Sequence, residues 1–107
     1  MGGRPIRLTA GAREELLRAV DFYDEQASLG PDLYAEVQAC LERIAEAPES
    51  YPFEPGFESD GVRFAATRRF RYRVVFLEEK EPDVLRILAI RHVRQKPGYW
   101  HSRLDES

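Results

Sequence analysis

Arginines are the residues of this sequence best suited to chemistry, and they concentrate in its second half. Residues 62–77 contain five arginines and no aspartate or glutamate. A guanidinium group is planar and binds a carboxylate or phosphate through two parallel hydrogen bonds, so clustered arginines suit an anionic partner. We therefore predict a partner- or anion-binding surface made of Arg63, Arg68, Arg69, Arg71, Arg73, Arg91 and Arg94.

The formal net charge of −3 conceals a division of charge along the chain. Residues 1–60 hold five arginines against thirteen carboxylates, which gives −8, whereas residues 61–107 hold eleven basic residues against six carboxylates, which gives +5. Such an asymmetry indicates more about partners than the total charge does. The alternative interpretation is that the charged faces are only solvated, with the arginines paired to acidic helices.

Some side chains near the end of the chain can transfer protons. His92 follows Arg91 at the end of a predicted strand, and histidine exchanges a proton near neutral pH, although a single histidine there is more often structural. Neighbouring residues of a regular strand face opposite sides of the sheet, so a site using both would need a bulge or twist. Tyr99 and Trp100 can stack on a base, but such aromatics more often close the edge of a core.

Several classes of site are not indicated by the sequence. His92 and His101 have no cysteine or acidic cluster near them, so we expect no metal site and no cofactor. No glycine-rich phosphate loop, Ser-His-Asp order or helical H-E-x-x-H motif is present. The single cysteine, Cys40, is predicted to be buried and indicates a reducing compartment. Without a long apolar run or a signal peptide, the chain is expected to be cytoplasmic and not membrane-bound.

The periodicity of apolar residues predicts the first elements. Residues 6–8 alternate as a short strand, and Thr9 is suited to cap a helix over residues 12–27. A second helix begins at Gly30-Pro31 and ends before Pro48, so the two helices form an antiparallel hairpin. An irregular connector follows over residues 48–61, which are rich in proline and glycine.

The remaining elements are strands over residues 62–66, 70–77 and 84–93, with a turn at 78–83. The last strand is mostly apolar without alternation, which is typical of a central strand. The order β-α-α-β-β-β predicts one α+β domain over residues 1–107, in which the hairpin covers one face of a small, mainly antiparallel sheet. If the last two strands pair through this turn, Arg71 and Arg91 approach each other at the same end of the sheet.

The sequence also resembles a known family. The segments "ELLRAVDFYDEQA", "LYAEVQACLERIAEAPESYP", "VRFAATRRFRYRVVFLEE" and "VLRILAIRHVRQKPGYW" are similar, in order and spacing, to the RelE/ParE superfamily of toxins from bacterial type II toxin–antitoxin systems. The resemblance covers nearly the whole chain, from about residue 5 to about residue 100. The fold that it implies agrees with the order of elements predicted from periodicity.

The resemblance implies one of two activities. RelE-type toxins are metal-independent, ribosome-dependent mRNA endoribonucleases, and in that case Arg71, Arg91, His92 and Tyr99 would be the catalytic candidates. ParE-type toxins, related to plasmid stabilisation, inhibit growth by poisoning DNA gyrase. Residues 58–77 contain no lysine, whereas RelE-type nucleases typically carry lysines there, and the pI is about 5.4. Both departures favour the ParE-like branch.

The partner implied in every case is a cognate antitoxin, which is expected to form an oligomeric complex with the toxin. A basic sheet surface and a helical hairpin suit a partly acidic peptide that folds on binding. A third alternative is an inactive member that only binds its antitoxin.

Overall fold

The computed structural model describes residues 4–80 and 83–105, with helices and strands in the predicted order β-α-α-β-β-β. The strands are β1 (Ile6–Leu8), β2 (Val62–Ala66), β3 (Tyr72–Lys80) and β4 (Asp83–His92). The helices are α1 (Ala10–Ala27) and α2 (Gly30–Glu46), with short 3-10 helices at Pro48–Ser50, Glu58–Asp60 and His101–Asp105. This arrangement confirms the predicted α+β class.

The strands form one sheet in the order β1-β4-β3-β2. β1 runs parallel to β4, and the other neighbouring strands are antiparallel, so the sheet is mainly antiparallel as predicted. Residues 84–91 of β4 are all buried, which confirms its prediction as a central strand. The helical hairpin packs on one face, and the main core there includes Leu16, Leu33, Val37, Ile44, Phe76 and Ile87.

The two helices meet closely where one ends and the next begins. Ser28, in the left-handed conformation with φ 57°, ends α1, and α2 begins at Gly30. A Cβ atom on Gly30 would lie 2.8 Å from the carbonyl oxygen of Val20, so glycine permits this close approach. The predicted boundary at Gly30-Pro31 is thereby confirmed.

Thr9 caps the N-terminus of α1, as its position in the sequence predicted. Its hydroxyl oxygen accepts a hydrogen bond from the backbone N–H of Ala12 at 3.1 Å. We expect Thr9→Ala to lower the free energy of unfolding by about 1 kcal/mol, because the helix loses this cap. Urea unfolding measures the change, and Thr9→Ser, which keeps the hydroxyl group, is the control. Equal unfolding midpoints for Thr9→Ala and the wild type would contradict the cap.

The predicted bounds of β3 and its turn are wrong at both ends. β3 begins at Tyr72, because Phe70 belongs to a bend in which its carbonyl accepts a hydrogen bond from the Thr67 hydroxyl. β3 then continues to Lys80, opposite Asp83, through residues that were predicted as a turn. The tip of this turn, residues 81–82, lies outside the described residues.

A β-bulge shifts the register between β3 and β4. Val75 is opposite Ala89 but Phe76 is opposite Ile87, so Leu88 is an additional residue in β4. The short connection between Lys80 and Asp83 shifts the register further relative to the predicted turn. Arg73, rather than Arg71, therefore lies directly opposite Arg91, while Arg71 lies in the bend before β3, at the same end of the sheet as Arg91.

The face of the sheet that is turned away from the helices has a second, smaller core. Trp100, fully buried, packs there with Val62, Val75 and Leu88. Its ring centroid lies 4.7 Å from that of Phe57, which comes from the connector. The segment after β4 and the connector therefore cover this face together.

Candidate functional site

The seven predicted arginines differ strongly in exposure. Arg68, Arg69, Arg71 and Arg94 are exposed, Arg63 and Arg73 are half-buried, and Arg91 is 3% exposed. The difference follows from position, since the exposed residues lie in the bend before β3 and in the turn after β4. The carbonyl of Arg71 accepts a hydrogen bond from the N–H of Val93 at 2.9 Å, which joins these two segments.

Arg73 and Arg91 share one buried carboxylate, that of Glu54 in the connector. Glu54 is fully buried; its Oε2 lies 3.3 Å from Nε of Arg91 and its Oε1 lies 3.6 Å from Nη1 of Arg73. The Arg73 guanidinium also stacks on Phe64, 4.2 Å from the ring centroid. Two positive charges at the heart of the predicted surface are thus partly neutralised within the protein.

Glu54 is a residue that the sequence analysis missed. It was counted among the acids of residues 1–60, but it folds against arginines 19 and 37 positions later in the chain. Its local sequence held one signal, because Glu54 stands between Phe53 and Pro55 in a connector that also contains Tyr51 and Phe57. Residues 62–77 contain no acid in the sequence, but in the folded chain Arg73 of this segment lies beside the Glu54 carboxylate.

Two other arginines have partners as well. Arg69 lies 3.5 Å from the carboxylate of Asp32 and its backbone N–H donates to Glu36 at 2.7 Å, both on α2. Arg63 stacks on Phe53, 4.1 Å from the ring centroid, and donates to the carbonyl of Tyr51. The alternative interpretation, that the arginines pair with acidic helices, is therefore correct for Arg69.

Of the seven predicted arginines, three are exposed and have no side-chain partner among residues 4–80 and 83–105. We name this group the arginine end; it consists of Arg68, Arg71 and Arg94. It lies where β3 begins and β4 ends, on the rim of the sheet. A role for any of the seven arginines in partner binding stays a prediction, and these three have guanidinium groups available for it.

A groove of about 250 Å³ lies beside the arginine end, between α1 and the ends of β3 and β4. We call it the strand-end groove; it is lined by Glu15, Arg18, Ala19, Phe22, Tyr72, Ile90, His92 and Gln95. The rings of Tyr72 and His92 meet edge to face at 5.3 Å. Burial raises the pKa of the Tyr72 phenol, with a smaller contribution from Tyr23, so this hydroxyl group stays protonated and can donate.

The hydrogen bonds of His92 determine which ring nitrogen carries the proton. Nδ1 accepts the backbone N–H of Arg94 at 3.1 Å, so in the neutral ring Nε2 is protonated. The backbone N–H of His92 donates to Oε1 of Gln95 at 2.8 Å, which leaves the side-chain N–H₂ of Gln95 as a further donor. Among the polar side chains that line the groove, Arg18, Tyr72, His92 and Gln95 therefore carry donors, and the Glu15 carboxylate carries acceptors.

Glu15 joins α1 to the segment after β4. Its carboxylate accepts hydrogen bonds from the Tyr99 hydroxyl at 2.7 Å, from Arg103 at 3.0 Å and from the backbone N–H of Ile90 at 3.0 Å. Arg103 also donates to the carbonyl of Leu88 at 3.0 Å. These bonds give partners to backbone groups of β4, the N–H of Ile90 and the carbonyl of Leu88, that lie beyond the end of the short strand β1. Spacing in the sequence did not indicate this feature.

Tyr99 is held in its protonated form by burial and by its contact with Glu15. Burial raises the pKa of its phenol well above the usual value, and the hydrogen bond to Glu15 raises it further. The folded state therefore disfavours the phenolate, and the stability contributed by Tyr99 is present below pH of about 10 and is lost as the pH rises above it.

We expect Tyr99→Phe to weaken this alkaline loss of stability. The free energy of unfolding of the variant should be slightly lower than that of the wild type at pH 8, because the variant lacks the bond to Glu15. This difference in free energy should become smaller above pH 10. Urea unfolding at pH 8 and above pH 10 measures the difference, and Tyr34→Phe, on the exposed face of α2, is the control. A difference that is constant with pH would contradict the assignment.

The four candidates for catalysis do not converge on one centre. Arg91 faces Glu54 on one side of the sheet, whereas His92 faces the helices, so the bulge at Leu88 does not bring them together. Arg71 is exposed at the rim, and Tyr99 is bonded to Glu15. Their catalytic role stays a prediction of the endoribonuclease alternative.

The remaining side chains singled out in the sequence, Trp100, Cys40 and His101, are buried or contact other side chains of the protein. Trp100 closes the second core, and Cys40 is buried as predicted. The His101 ring lies 5.7 Å from the Phe57 ring, and its Nε2 is 3.6 Å from the Asp60 carboxylate. In residues 4–80 and 83–105, no three His, Cys, Asp or Glu side chains are placed to hold a metal ion. None of the described helices has the length and apolar character to span a membrane.

Comparison with known proteins supplies the family. Residues 6–97 match the family described as the ParE toxin of the type II toxin–antitoxin system, parDE. This chain belongs to the ParE toxin family. As a ParE family member it is a toxin of type II toxin–antitoxin systems, within the RelE/ParE superfamily that its motifs resembled. Among curated protein sequences, none matches the chain significantly.

Solved structures support the fold of this ParE family member. A chromosomal ParDE system from P. aeruginosa is similar at a TM-score of 0.71 and 17% identity, covering 85% of this chain and 97% of that one. The RelBE2 toxin–antitoxin complex of Mycobacterium tuberculosis has a TM-score of 0.58 at 22% identity, covering 84% and 98%. A mutant E. coli toxin RelE in the free state has a TM-score of 0.60 at 14% identity, covering 94% and 92%.

Proposed function

We propose that this ParE family member inhibits growth in the cytoplasm by binding DNA gyrase, and that a cognate antitoxin neutralises it by forming an oligomeric complex. The family match over residues 6–97 supports the gyrase branch. The observation that carries the choice is the buried Glu54 carboxylate between Arg73 and Arg91. A metal-independent nuclease needs positive charge that is free to stabilise the phosphorane, whereas here the Glu54 carboxylate accepts a hydrogen bond from Arg91 and lies 3.6 Å from Nη1 of Arg73.

Separation of the proton-transfer groups from the arginines supports the same choice. His92 lies on the helix side of the sheet, whereas Arg91 lies on the opposite side with Glu54. In-line attack of a 2′-hydroxyl group requires a base and a charge-stabilising group around one phosphate. The contact geometry therefore favours binding to a protein target over mRNA cleavage.

The antitoxin proposal is supported by chemistry and by relatives. The ParDE and RelBE2 structures are a toxin–antitoxin system and a toxin–antitoxin complex. In this chain the exposed Arg68, Arg71 and Arg94 present positive charge beside a partly apolar groove. A segment with carboxylates that orders on binding complements such a surface.

Supercoiling by purified gyrase tests the proposed target. We expect the chain to inhibit supercoiling of relaxed plasmid and to accumulate cleaved DNA, and an equimolar cognate antitoxin to reverse both effects. Normal supercoiling at saturating toxin would overturn the gyrase proposal.

Messenger RNA on translating ribosomes is incubated with the same preparation, and site-specific cleavage there would assign the chain to the nuclease alternative. Expression that leaves growth unchanged without antitoxin would favour an inactive member.

A further inference from the structure

The strand-end groove contains donors that the protein does not use itself. Within residues 4–80 and 83–105, the Tyr72 hydroxyl, the His92 Nε2–H and the Gln95 side-chain N–H₂ have no acceptor. Each of these groups can donate to an oxygen. Three donors that line one groove favour a ligand with acceptor oxygens, and a carboxylate, which accepts shorter and stronger hydrogen bonds than a neutral oxygen, complements them best.

The same groove has an apolar side. Phe22 on α1 is 56% exposed at its rim, and Ala19 and Ile90 lie in its wall. An exposed phenylalanine next to a concave, partly apolar surface is typical of a binding site, because its burial by a partner is favourable. The volume of about 250 Å³ has room for one large side chain.

The charges around the groove distinguish between classes of partner. On the strand side, Arg71 and Arg94 of the arginine end are exposed. On the helix side α1 exposes Glu14, Asp21 and Glu25, and Arg18 is paired with Glu14 at 2.6 Å. A nucleic acid strand, charged along its whole length, would meet repulsion at the helix. A protein segment can place an apolar residue near the helix and carboxylates near the arginines.

We propose that the strand-end groove anchors a protein segment in which one large apolar side chain is followed by aspartates or glutamates. The apolar side chain packs on Phe22, and a carboxylate accepts hydrogen bonds from Tyr72 and His92. The following carboxylates reach Arg71 and Arg94. The proposal rests on the proposed function in one respect, that a toxin of this kind is neutralised by a protein partner, and it names the chemistry of that partner.

Fluorescence anisotropy with a labelled peptide tests the proposed chemistry on the full chain. The probe carries one tryptophan followed by four glutamates, and two matched peptides replace the tryptophan by alanine or the glutamates by lysines. We expect the first peptide to bind, the alanine peptide to bind about tenfold more weakly, and the lysine peptide not to bind. Absence of binding by the first peptide, or equal binding by all three, would overturn the proposal.

Variants of the toxin locate the binding. Phe22→Ala and Arg71→Glu should each weaken peptide binding about tenfold. Tyr34→Ala, another exposed aromatic on a helix, and Arg7→Glu, an exposed arginine on β1, should change it less than about twofold. All four positions are at the surface, and circular dichroism verifies their folding. Equal losses in the test and control variants would place the peptide elsewhere and overturn the proposal.

Two further readouts separate this proposal from its alternatives. A single-stranded oligonucleotide that displaces the peptide, with the same sensitivity to Phe22→Ala, would assign the groove to nucleic acid and overturn the proposal. Supercoiling by gyrase is measured in parallel. If the chain inhibits gyrase but does not bind the peptide, the proposed function stands and the groove proposal is overturned. If the chain binds the peptide but does not inhibit gyrase, only the gyrase target is overturned.

Discussion

Glu54→Gln is expected to lower the free energy of unfolding by about 3 kcal/mol. The substitution keeps the shape of the side chain but removes the charge that Arg91 and Arg73 share. Arg91 is 3% exposed and cannot turn to water without moving the strand end, so its charge is left uncompensated. Removal of one partner from a buried ion pair typically costs about 3–5 kcal/mol, and the partial exposure of Arg73 places this case at the lower end.

Urea unfolding followed by tryptophan fluorescence measures this loss. Glu49→Gln is the matched control, because Glu49 lies in the same connector with an exposed side chain, and we expect a change within about 0.5 kcal/mol. The double variant Glu54→Leu with Arg91→Met removes both buried charges and should be more stable than Glu54→Leu alone. A loss below about 1 kcal/mol for Glu54→Gln would show that the arginines do not depend on this carboxylate.

Trp100→Ala is expected to cost about 3–5 kcal/mol, the range for a large aromatic removed from a core. Trp100 is fully buried between the connector and the sheet, so alanine leaves a cavity beside Phe57 and Leu88. The segment after β4 should then detach from this face, since Trp100 is its largest apolar anchor. Circular dichroism during urea unfolding measures the loss, because the variant has no tryptophan.

Trp100→Phe separates the aromatic contact from the indole nitrogen. Nε1 of Trp100 is buried and has no hydrogen-bond partner in the part of the chain that is described. Phenylalanine removes this unsatisfied donor together with some volume, so we expect a cost of only about 1 kcal/mol. If Trp100→Phe is as unstable as Trp100→Ala, the size of the ring, rather than its aromatic contact with Phe57, holds the segment.

The helices and strands were largely predictable because their signals are local. Thr9 stands directly before the apolar stripe that it caps, and Gly30 stands at the junction of two such stripes. β2 has the predicted bounds, Val62–Ala66, since glycine precedes it and a bend follows. The ends of β3 were not predictable in this way, because Glu78 becomes a strand residue only through its pairing with Leu85.

The candidate site was less predictable because its contacts join distant parts of the chain. Glu15 and Tyr99 are 84 residues apart, and Glu54 and Arg91 are 37 apart. A count of charge by segment assigned Glu54 to an acidic half and Arg91 to a basic half, and this division cannot indicate that the two side chains meet. Arg71 was predicted inside the strand 70–77, but it lies in the bend before β3 and is exposed.

The extra residue in β4 decides which chemistry each side of the sheet presents. Because Leu88 and Ala89 both face the second core, alternation restarts one position later, and residues 90–92 keep that changed order. Without the bulge, a β4 that kept all its residues would alternate regularly and would exchange the two sides from Ala89 onward, so that the imidazole of His92 met Glu54 and the guanidinium of Arg91 entered the groove beside α1. Deletion of Leu88, in contrast, would remove the bulge and leave Arg91 and His92 on their present sides. The bulge therefore lets β4 contain one more residue and still present the imidazole of His92, rather than a guanidinium group, to the strand-end groove.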